Sequence, residues 1–398
     1  MTFVTLKYSW GWFFVILYLN SHDLPPFADS ELMNITTPTL LLDKEKAIRN
    51  ISRMVEKAKR SGVRLRPHFK THQSVQVGEW FREQGVEAIT VSSVHMARYF
   101  ADHGWRDILV AFPANVLEVE SINELASRIK LHLIAVNQET VVALAKGLQH
   151  PVQLSLKIDT GYHRTGIPAN NYAEIDAMLE LIQRQDKLQF AGFVVHNGHT
   201  YKQTDAAASR NIHDTSVDQL HLLRERYKAQ FPDLQLSVGD TPSCSILETF
   251  EGVDEIRPGN FVFYDITQQH IGSCSFEEIA VCMACPVVAK HPDRSELILY
   301  GGSVHFSKDV LVQEDGAAVF GRVVELTDKG WSEPLEGFEV ISLSQEHGVV
   351  RVSAEHFDKY NIGDLMGVLP VHSCLTADIM RGYLTTEGEP IDHLSGVR

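Results

Sequence analysis

Only five of the 398 residues are cysteine (Cys244, Cys274, Cys282, Cys285 and Cys374), too few and odd in number for a disulfide framework. That usage suits a reducing compartment. Cys282 and Cys285 form a C-x-x-C with no second pair at zinc-ribbon spacing. Their setting, EEIAVCMACPVVA, reads as a strand, so they are taken as buried structural thiols. Positive charge is also scarce: 36 Lys and Arg against 51 Asp and Glu leave a formal net charge of −15. Such a chain is ill suited to hold phosphate backbones or an anionic membrane, which argues against nucleic acid and lipid as partners. A nearly unbroken apolar run, Trp10 to Leu19, falls short of the roughly 20 residues that cross a bilayer. Lys7 flanks it weakly and no small-x-small cleavage site follows. Residues 1–32 are therefore expected to be a non-structural leader, with Met33 as the natural start and a cytoplasmic location. No repeat of solenoid length and no low-complexity segment is present.

Apolar residues make up 44% of the chain and charged residues 22%, ordinary for a globular protein with a full core. The length suits one large domain with a smaller one. From Arg64 onward, short apolar runs alternate with amphipathic stretches such as SVQVGEWFREQG and NYAEIDAMLELIQRQ. The runs are Arg64–Phe69, Ala88–Ser92, Asp107–Phe112, Lys130–Val136, Val152–Ile158, Gln189–His196, Gln235–Val238 and Glu255–Val262. Eight strands alternating with helices predict a parallel (β/α)8 barrel over residues 44–265. The last repeats are the least regular, which leaves an open doubly wound sheet as the alternative. After about Asp265 the texture becomes β-rich with Gly, Pro and Asp between runs, as in AAVFGRVVELT and FEVISLSQEHGVVRVS. Residues 266–398, joined by 33–43, are expected to form a mainly antiparallel β-domain.

In such a barrel the chemistry gathers at the carboxyl ends of the strands. There the sequence places Pro67-His68-Phe69-Lys70-Thr71-His72, Asp159-Thr160-Gly161-Tyr162-His163-Arg164, His196-Asn197-Gly198-His199, Gly239-Asp240-Thr241 and Pro258-Gly259-Asn260. Taken alone, Lys70 reads more simply as a solvated strand-end charge. Strand alternation, however, sends His68, Lys70 and His72 to one face, which packing does not explain. A desolvated lysine loses its proton readily and can form a Schiff base. Across from it, the glycine turns at 239–241 and 258–260 let backbone N–H groups approach an anion. Together they suggest a phosphorylated aldehyde cofactor. Arg164 would meet the pyridine nitrogen or a substrate carboxylate; it reads equally well as a surface helix-start residue. His199, in a glycine-flanked loop, is the candidate proton carrier. His372-Ser373-Cys374, read as a strand segment, puts an imidazole and a thiolate on one face, a pair that suits zinc and leaves places for water and substrate. By itself an H-x-C is more often core. Glu346 and His347 are weaker candidates to support that metal.

This set of motifs resembles the D-threonine aldolase and D-serine dehydratase family, whose barrel is similar to that of alanine racemase. TPTLLLD, RPHFKTH, DTGYHRTGI, HNGHTY, SVGDTP, EIRPGNFVFYD, SQEHG and GDLMGVLPVHSCLTA occur in order over Thr37 to about Asp378. RPHFKTH and the closing H-x-C-x-T are the most diagnostic. The apolar leader departs from the family pattern, and Phe69 and Tyr162 fall at variable positions. The resemblance implies pyridoxal 5'-phosphate on Lys70, with phosphate contacts from Gly239, Thr241, Gly259 and Asn260 and with Tyr162 and Arg164 beside it. It implies a divalent metal, zinc or else manganese or magnesium, on His372 and Cys374, and a homodimer that completes the site. The implied activity is that of a lyase on a small D-β-hydroxy-α-amino acid. Dehydration to a 2-oxo acid and ammonia is preferred on the cysteine of H-x-C and on SQEHG. Aldol cleavage to glycine and an aldehyde is the alternative, with His199 taking the hydroxyl proton. Two other classes remain at this point: a non-catalytic cofactor carrier, and a hydrolase with zinc on His68 and His72 and a carbamylated Lys70.

Overall fold

The computed structural model describes residues 35–313 and 315–394, together with the short strands Lys7–Tyr8 and Gly11–Trp12, which pair antiparallel. Apart from that pair, the expected leader lies outside the described residues.

Eight parallel strands form the barrel: β1 Arg64–Leu65, β2 Ala88–Val91, β3 Asp107–Pro113, β4 Lys130–Ala135, β5 Val152–Asp159, β6 Leu188–Val195, β7 Gln235–Val238 and β8 Glu255–Ile256. Their hydrogen-bonded order is β1-β8-β7-β6-β5-β4-β3-β2. The ring closes between β1 and β2 through one parallel bridge, His68 with Thr90, where Phe69 N–H donates to Thr90 O and Thr90 N–H donates to Pro67 O, each at 2.9 Å. Two of the expected runs are cut short by proline. Pro67 and Pro258 offer no N–H to a ladder, so β1 and β8 keep two residues each and the chain leaves them in turns. Those turns carry Lys70 and Gly259.

Helices cover the barrel because their apolar residues recur at three and four spacing. The helix Lys44–Arg60 buries Ala47, Ile51, Met54, Val55 and Ala58, and Asp43 caps it by accepting from Lys46 N–H at 2.9 Å. Ser74 and Asp240 start the helices Val75–Glu83 and Thr241–Ile246 in the same way. Behind Lys70, Phe69 is fully buried against Phe81, Phe100 and Trp105, with ring centroids 5.0–5.1 Å apart. Truncating such a ring to alanine costs about 3–5 kcal/mol, so the neighbour of Lys70 is a firm anchor.

The second sheet orders Glu296–Tyr300, His347–Arg351, Gly330–Leu343, Gly321–Thr327, Leu365–Pro370, Val281–His291, Thr39–Leu42, Tyr383–Thr385 and Pro390–Ile391. Val281–His291 also pairs with Glu296–Tyr300, which closes the first six strands into a ring. Every pairing is antiparallel except that of Thr39–Leu42 with Tyr383–Thr385. The expected barrel and mainly antiparallel β-domain are thus both present. Cys282 and Cys285 lie on the long strand, fully buried and unpaired. Among the described residues no helix is long and apolar enough to cross a membrane.

Candidate active site

Two adjoining cavities of about 460 and 210 Å³ open at the carboxyl-end mouth of the barrel and share His68, Lys70, Arg164, His196 and Arg257. A larger one, about 730 Å³, lies at the opposite mouth around Arg66, His132 and Glu255. Its charges are already matched: Arg66 donates to Asp107 and to Glu255, each at 2.6 Å. The mouth that carries Lys70 is therefore the candidate site.

Lys70 follows directly on Phe69, its side chain is exposed, and it lines both cavities. The alternation read into residues 68–72 does not occur, because Pro67 ends the strand. His72 turns inward instead. It is fully buried, its ring packs 4.4 Å from that of Phe69, and its Nδ1 accepts from Ser74 N–H at 3.1 Å. Burial above all drives its pKa down to about 3. His68 and His72 thus do not converge on a common point, which removes the basis for the zinc hydrolase.

The two glycine turns meet. Thr241 Oγ1 accepts from Gly259 N–H at 3.3 Å and from Asn260 N–H at 3.0 Å. A Cβ on Gly239 would lie 2.8 Å from Arg257 Cβ, and one on Gly259 would lie 3.0 Å from His68 Cβ. Both positions need glycine because a neighbouring strand end comes this close. Beside the turns, the hydroxyl of Ser243 and the side-chain amide oxygen Oδ1 of Asn260 are buried with no protein partner. Four basic side chains, His68, Lys157, His196 and Arg257, line the adjoining cavity. Burial, then the Arg164 and Arg257 charges, pushes Lys157 down to about 8. Burial likewise brings Arg257 down to about 10 and holds His68 and His196 well below the usual imidazole range. The close glycine turns, the unpartnered Ser243 hydroxyl and the charges of Lys157 and Arg257 together fit a phosphate-bearing ligand.

Tyr162 and Arg164 come from the loop after β5, where the Asp159 carboxylate accepts from the N–H groups of Gly161 and His163, each at 3.0 Å. The Tyr162 ring lies so close to Gly198 that a Cβ there would be 2.3 Å from it. Arg164 is exposed and its guanidinium sits 5.1 Å over that ring. His199 stacks on the outer side of this assembly, 6.1 Å from Tyr162 and near parallel, and lines neither cavity. The structure thus does not bring the expected proton carrier into the lining of either cavity. The histidine of that loop that does line both cavities is His196, whose Nδ1 is 2.6 Å from Gly239 O. That bond places the proton on Nδ1 and leaves Nε2 as an acceptor.

His372 and Cys374 lie at the other wall of the smaller cavity. They are not on a strand. The strand ends at Pro370, His372 is the N-cap of the helix Ser373–Met380, and Cys374 lies in its first turn. The pair is nonetheless brought together by that turn, and Asp265 supports it. Asp265 is fully buried and accepts from Asn260 Nδ2 at 2.7 Å and from Ser373 N–H at 3.0 Å, while His372 Nδ1 stands 3.4 Å away. Cys374 Sγ is 3.3 Å from Thr71 Oγ1 and 3.4 Å from Asn260 Nδ2. Burial opposes charge on both residues. The Cys374 and Asp265 charges outweigh it and hold His372 well above the usual imidazole range. His372 in turn brings the Cys374 thiol below its ordinary value. An imidazole held by a carboxylate through Nδ1, beside a thiolate, is a donor set that fits a soft or borderline divalent metal. Among the described residues no group of three or more His, Cys, Asp or Glu side chains could hold a metal ion. Glu346 and His347 are exposed on the β-domain and line neither cavity; Glu346 is 4.0 Å from His305.

Asp265 escaped the sequence reading because it looks like an ordinary cap: its Oδ1 accepts from Gln268 N–H at 2.9 Å. Lys157 left a readable trace, a lone charge inside the apolar run VQLSLKI.

The chain matches two family models, alanine racemase, N-terminal domain, over residues 42–266 and putative serine dehydratase domain over residues 280–386. It is 28% identical over 383 residues to the D-serine dehydratase of Dictyostelium discoideum, covering 89% of this chain and 94% of that protein. The structure of the D-threo-3-hydroxyaspartate dehydratase from Delftia sp. HT23 is 28% identical, with a TM-score of 0.85 over 93% of this chain and 100% of that one. A cysteine-to-alanine mutant of that dehydratase, described as being in the metal-free form, superposes with a TM-score of 0.86 at 26% identity over 93% of this chain and 100% of that one. With the first model covering more than half of its length and the second most of the remainder, this chain belongs to the alanine racemase N-terminal domain family, in the D-serine dehydratase and D-threonine aldolase branch.

Proposed function

We propose that this chain is a pyridoxal-phosphate and divalent-metal-dependent lyase that dehydrates a D-β-hydroxy-α-amino acid to a 2-oxo acid and ammonia. The observation that carries this is one cavity with three different walls: the Lys70 amine, the turn residues Thr241, Gly259 and Asn260, and the pair His372 and Cys374. Lys70 would hold the cofactor, and Gly239 would join those turn residues at its phosphate. Pyridoxal phosphate supplies an electron sink for charge that develops at the substrate α-carbon. A divalent metal supplies a Lewis acid for the β-hydroxyl, and imidazole with thiolate favours zinc.

The remaining chemistry belongs to the chain. Lys70, at a strand end facing the cavity, takes and holds the α-proton. Arg164 and Lys157 supply positive charge for the substrate carboxylate, Tyr162 walls the cavity on the β5 side, and His196 offers Nε2 as a proton acceptor. Asp265 fixes the His372 ring, so that Nε2 is the nitrogen left for a metal. Aldol cleavage needs a base at the hydroxyl, and His199, the residue expected to serve, is outside the cavity lining. That position favours dehydration. The carrier reading leaves the His372–Cys374 wall without a purpose.

Leu375 and Ile379 are exposed on the helix that carries Cys374, with Val304, Val310 and Val312 also exposed in the β-domain. Exposed apolar side chains on the helix that carries Cys374 suit a second copy of the chain, and we propose a homodimer. Unpaired cysteines suit a cytoplasmic enzyme.

The test is product identification from D-serine, D-threo-3-hydroxyaspartate and D-threonine with protein supplied with cofactor and zinc. A 2-oxo acid with ammonia supports the reading. Glycine with an aldehyde would replace it by the aldolase, and no product from any of the three by the carrier.

A further inference from the structure

Between Lys70 and the helix Val75–Glu83 the chain makes one turn, Thr71-His72-Gln73-Ser74, with all four residues buried. Gln73 holds φ at +47°, a left-handed conformation that residues with a side chain adopt rarely. Much of what holds this turn comes from more than 300 residues away. Tyr383 OH donates to His72 O at 2.7 Å, and the Gln73 side-chain amide donates to Asp378 at 2.7 Å. Leu394 N–H donates to Gln73 O at 2.6 Å.

Asp392 does the most. Its Oδ1 accepts from Ser74 Oγ at 2.6 Å and from Gln76 N–H at 3.0 Å, and its Oδ2 accepts from Val75 N–H at 2.9 Å and from Tyr99 OH at 2.5 Å. Its own N–H donates back to Gln76 Oε1 at 2.7 Å. The helix already has a local cap, since Ser74 Oγ accepts from Val77 N–H at 3.1 Å. Asp392 is thus a second cap, delivered by the far end of the chain to the amino end of a helix, where a carboxylate is favoured by the free N–H groups and the helix dipole. A single local cap suffices for an ordinary helix. Two, with three further bonds onto a strained turn, fix the direction in which the chain leaves Phe69.

We infer that residues 390–394 act as a strap that sets the position of the Lys70 amine, with Asp392 as the positioning residue through which the strap works. This rests on the reading of Lys70 as the cofactor lysine. The strap also ties that lysine to the other wall of the cavity, because Asp378, the partner of Gln73, lies on the helix that carries Cys374.

The full-length protein, as wild type, Asp392→Asn and Asp392→Glu, is stripped of cofactor and titrated with pyridoxal phosphate. The absorbance of the lysine-linked cofactor is followed, and borohydride-reduced samples are mapped by mass spectrometry. Asn keeps the shape but sets an amide N–H₂ against donors. Asp392→Asn is expected to weaken cofactor binding about tenfold or more and to move the pH midpoint of the absorbance band, with Asp392→Glu recovering part of both. A lower melting temperature with affinity and pH midpoint unchanged would make Asp392 merely structural and overturn the inference. Should Asp392→Asn not fold, Tyr99→Phe removes one donor and leaves the carboxylate in place. It is expected to shift affinity in the same direction by a smaller factor, and an unchanged affinity there also overturns the strap. Wild type without a pyridoxyl group on Lys70 is a different failure: the cofactor reading itself falls, and the strap with it.

Discussion

The two walls of the cavity use similar side chains to opposite effect. At the barrel wall, burial above all lowers the pKa values of His68, His196, Lys157 and Arg257, which leaves the two imidazoles neutral. At the β-domain wall, His372 is half-buried and faces a thiol and a carboxylate, and it is held charged while the thiol gives up its proton more easily. Desolvation is common to both walls, so the difference lies in the partners. The first keeps Lys157 and Arg257 as cations beside two neutral imidazoles, ready for an anion. The second, once His372 gives up its proton, is a pair of electron donors for a cation.

The largest expected effect comes from breaking the second wall alone. Cys374→Ala is expected to lower turnover of a D-β-hydroxy acid by about 10³-fold or more, since a Lewis acid contributes several kcal/mol. Bound metal measured by elemental analysis should vanish while the cofactor absorbance stays. Loss of both would mean that the walls are not separable. Asp265→Asn keeps the shape but removes the charge that holds His372, and metal affinity read by competition with a chelator is expected to fall about 10–100-fold.

The first wall answers in the opposite direction. Lys157 is 7% exposed, and its pKa falls from 10.5 to about 8 in the folded chain. A base with a depressed folded pKa contributes stability that is full above pH 10.5 and is lost as pH falls through about 8. At pH 7 in cofactor-free protein, Lys157→Met should therefore raise stability in urea by roughly 2 kcal/mol. It should also flatten the fall in wild-type stability between pH 10 and pH 8. Saturating pyridoxal phosphate, by placing an anion among these cations, is expected to shrink the gain.

Much of this molecule was legible in its sequence because barrel strands announce themselves as short apolar runs between amphipathic helices, and because the chemistry of such a fold collects at one end. The turns at Lys70, Gly239 and Gly259 followed from that rule. Local pattern failed where a proline or a turn changed the geometry. Strand alternation misplaced His72 because Pro67 stops the strand, and it misread His372 and Cys374 because the chain passes from Pro370 into a helix. It also failed wherever two distant residues meet. Asp265 reaches Ser373 across 108 residues, and Asp392 reaches Gln76 across 316. Each carries the spacing of an ordinary capping or turn residue, and nothing around it in the sequence names its partner. His199 and His196 show the same limit at short range: three residues apart and both against the Tyr162 ring, only His196 lines the cavity.

The proposed chemistry needs Lys70 as the point where the cofactor is joined to the chain. Borohydride reduction of the holoprotein followed by peptide mapping tests this most directly. The pyridoxyl mass is expected on the peptide that contains Lys70 and to be lost in Lys70→Ala. The same mass on Lys157 or another lysine, or on none, would contradict it.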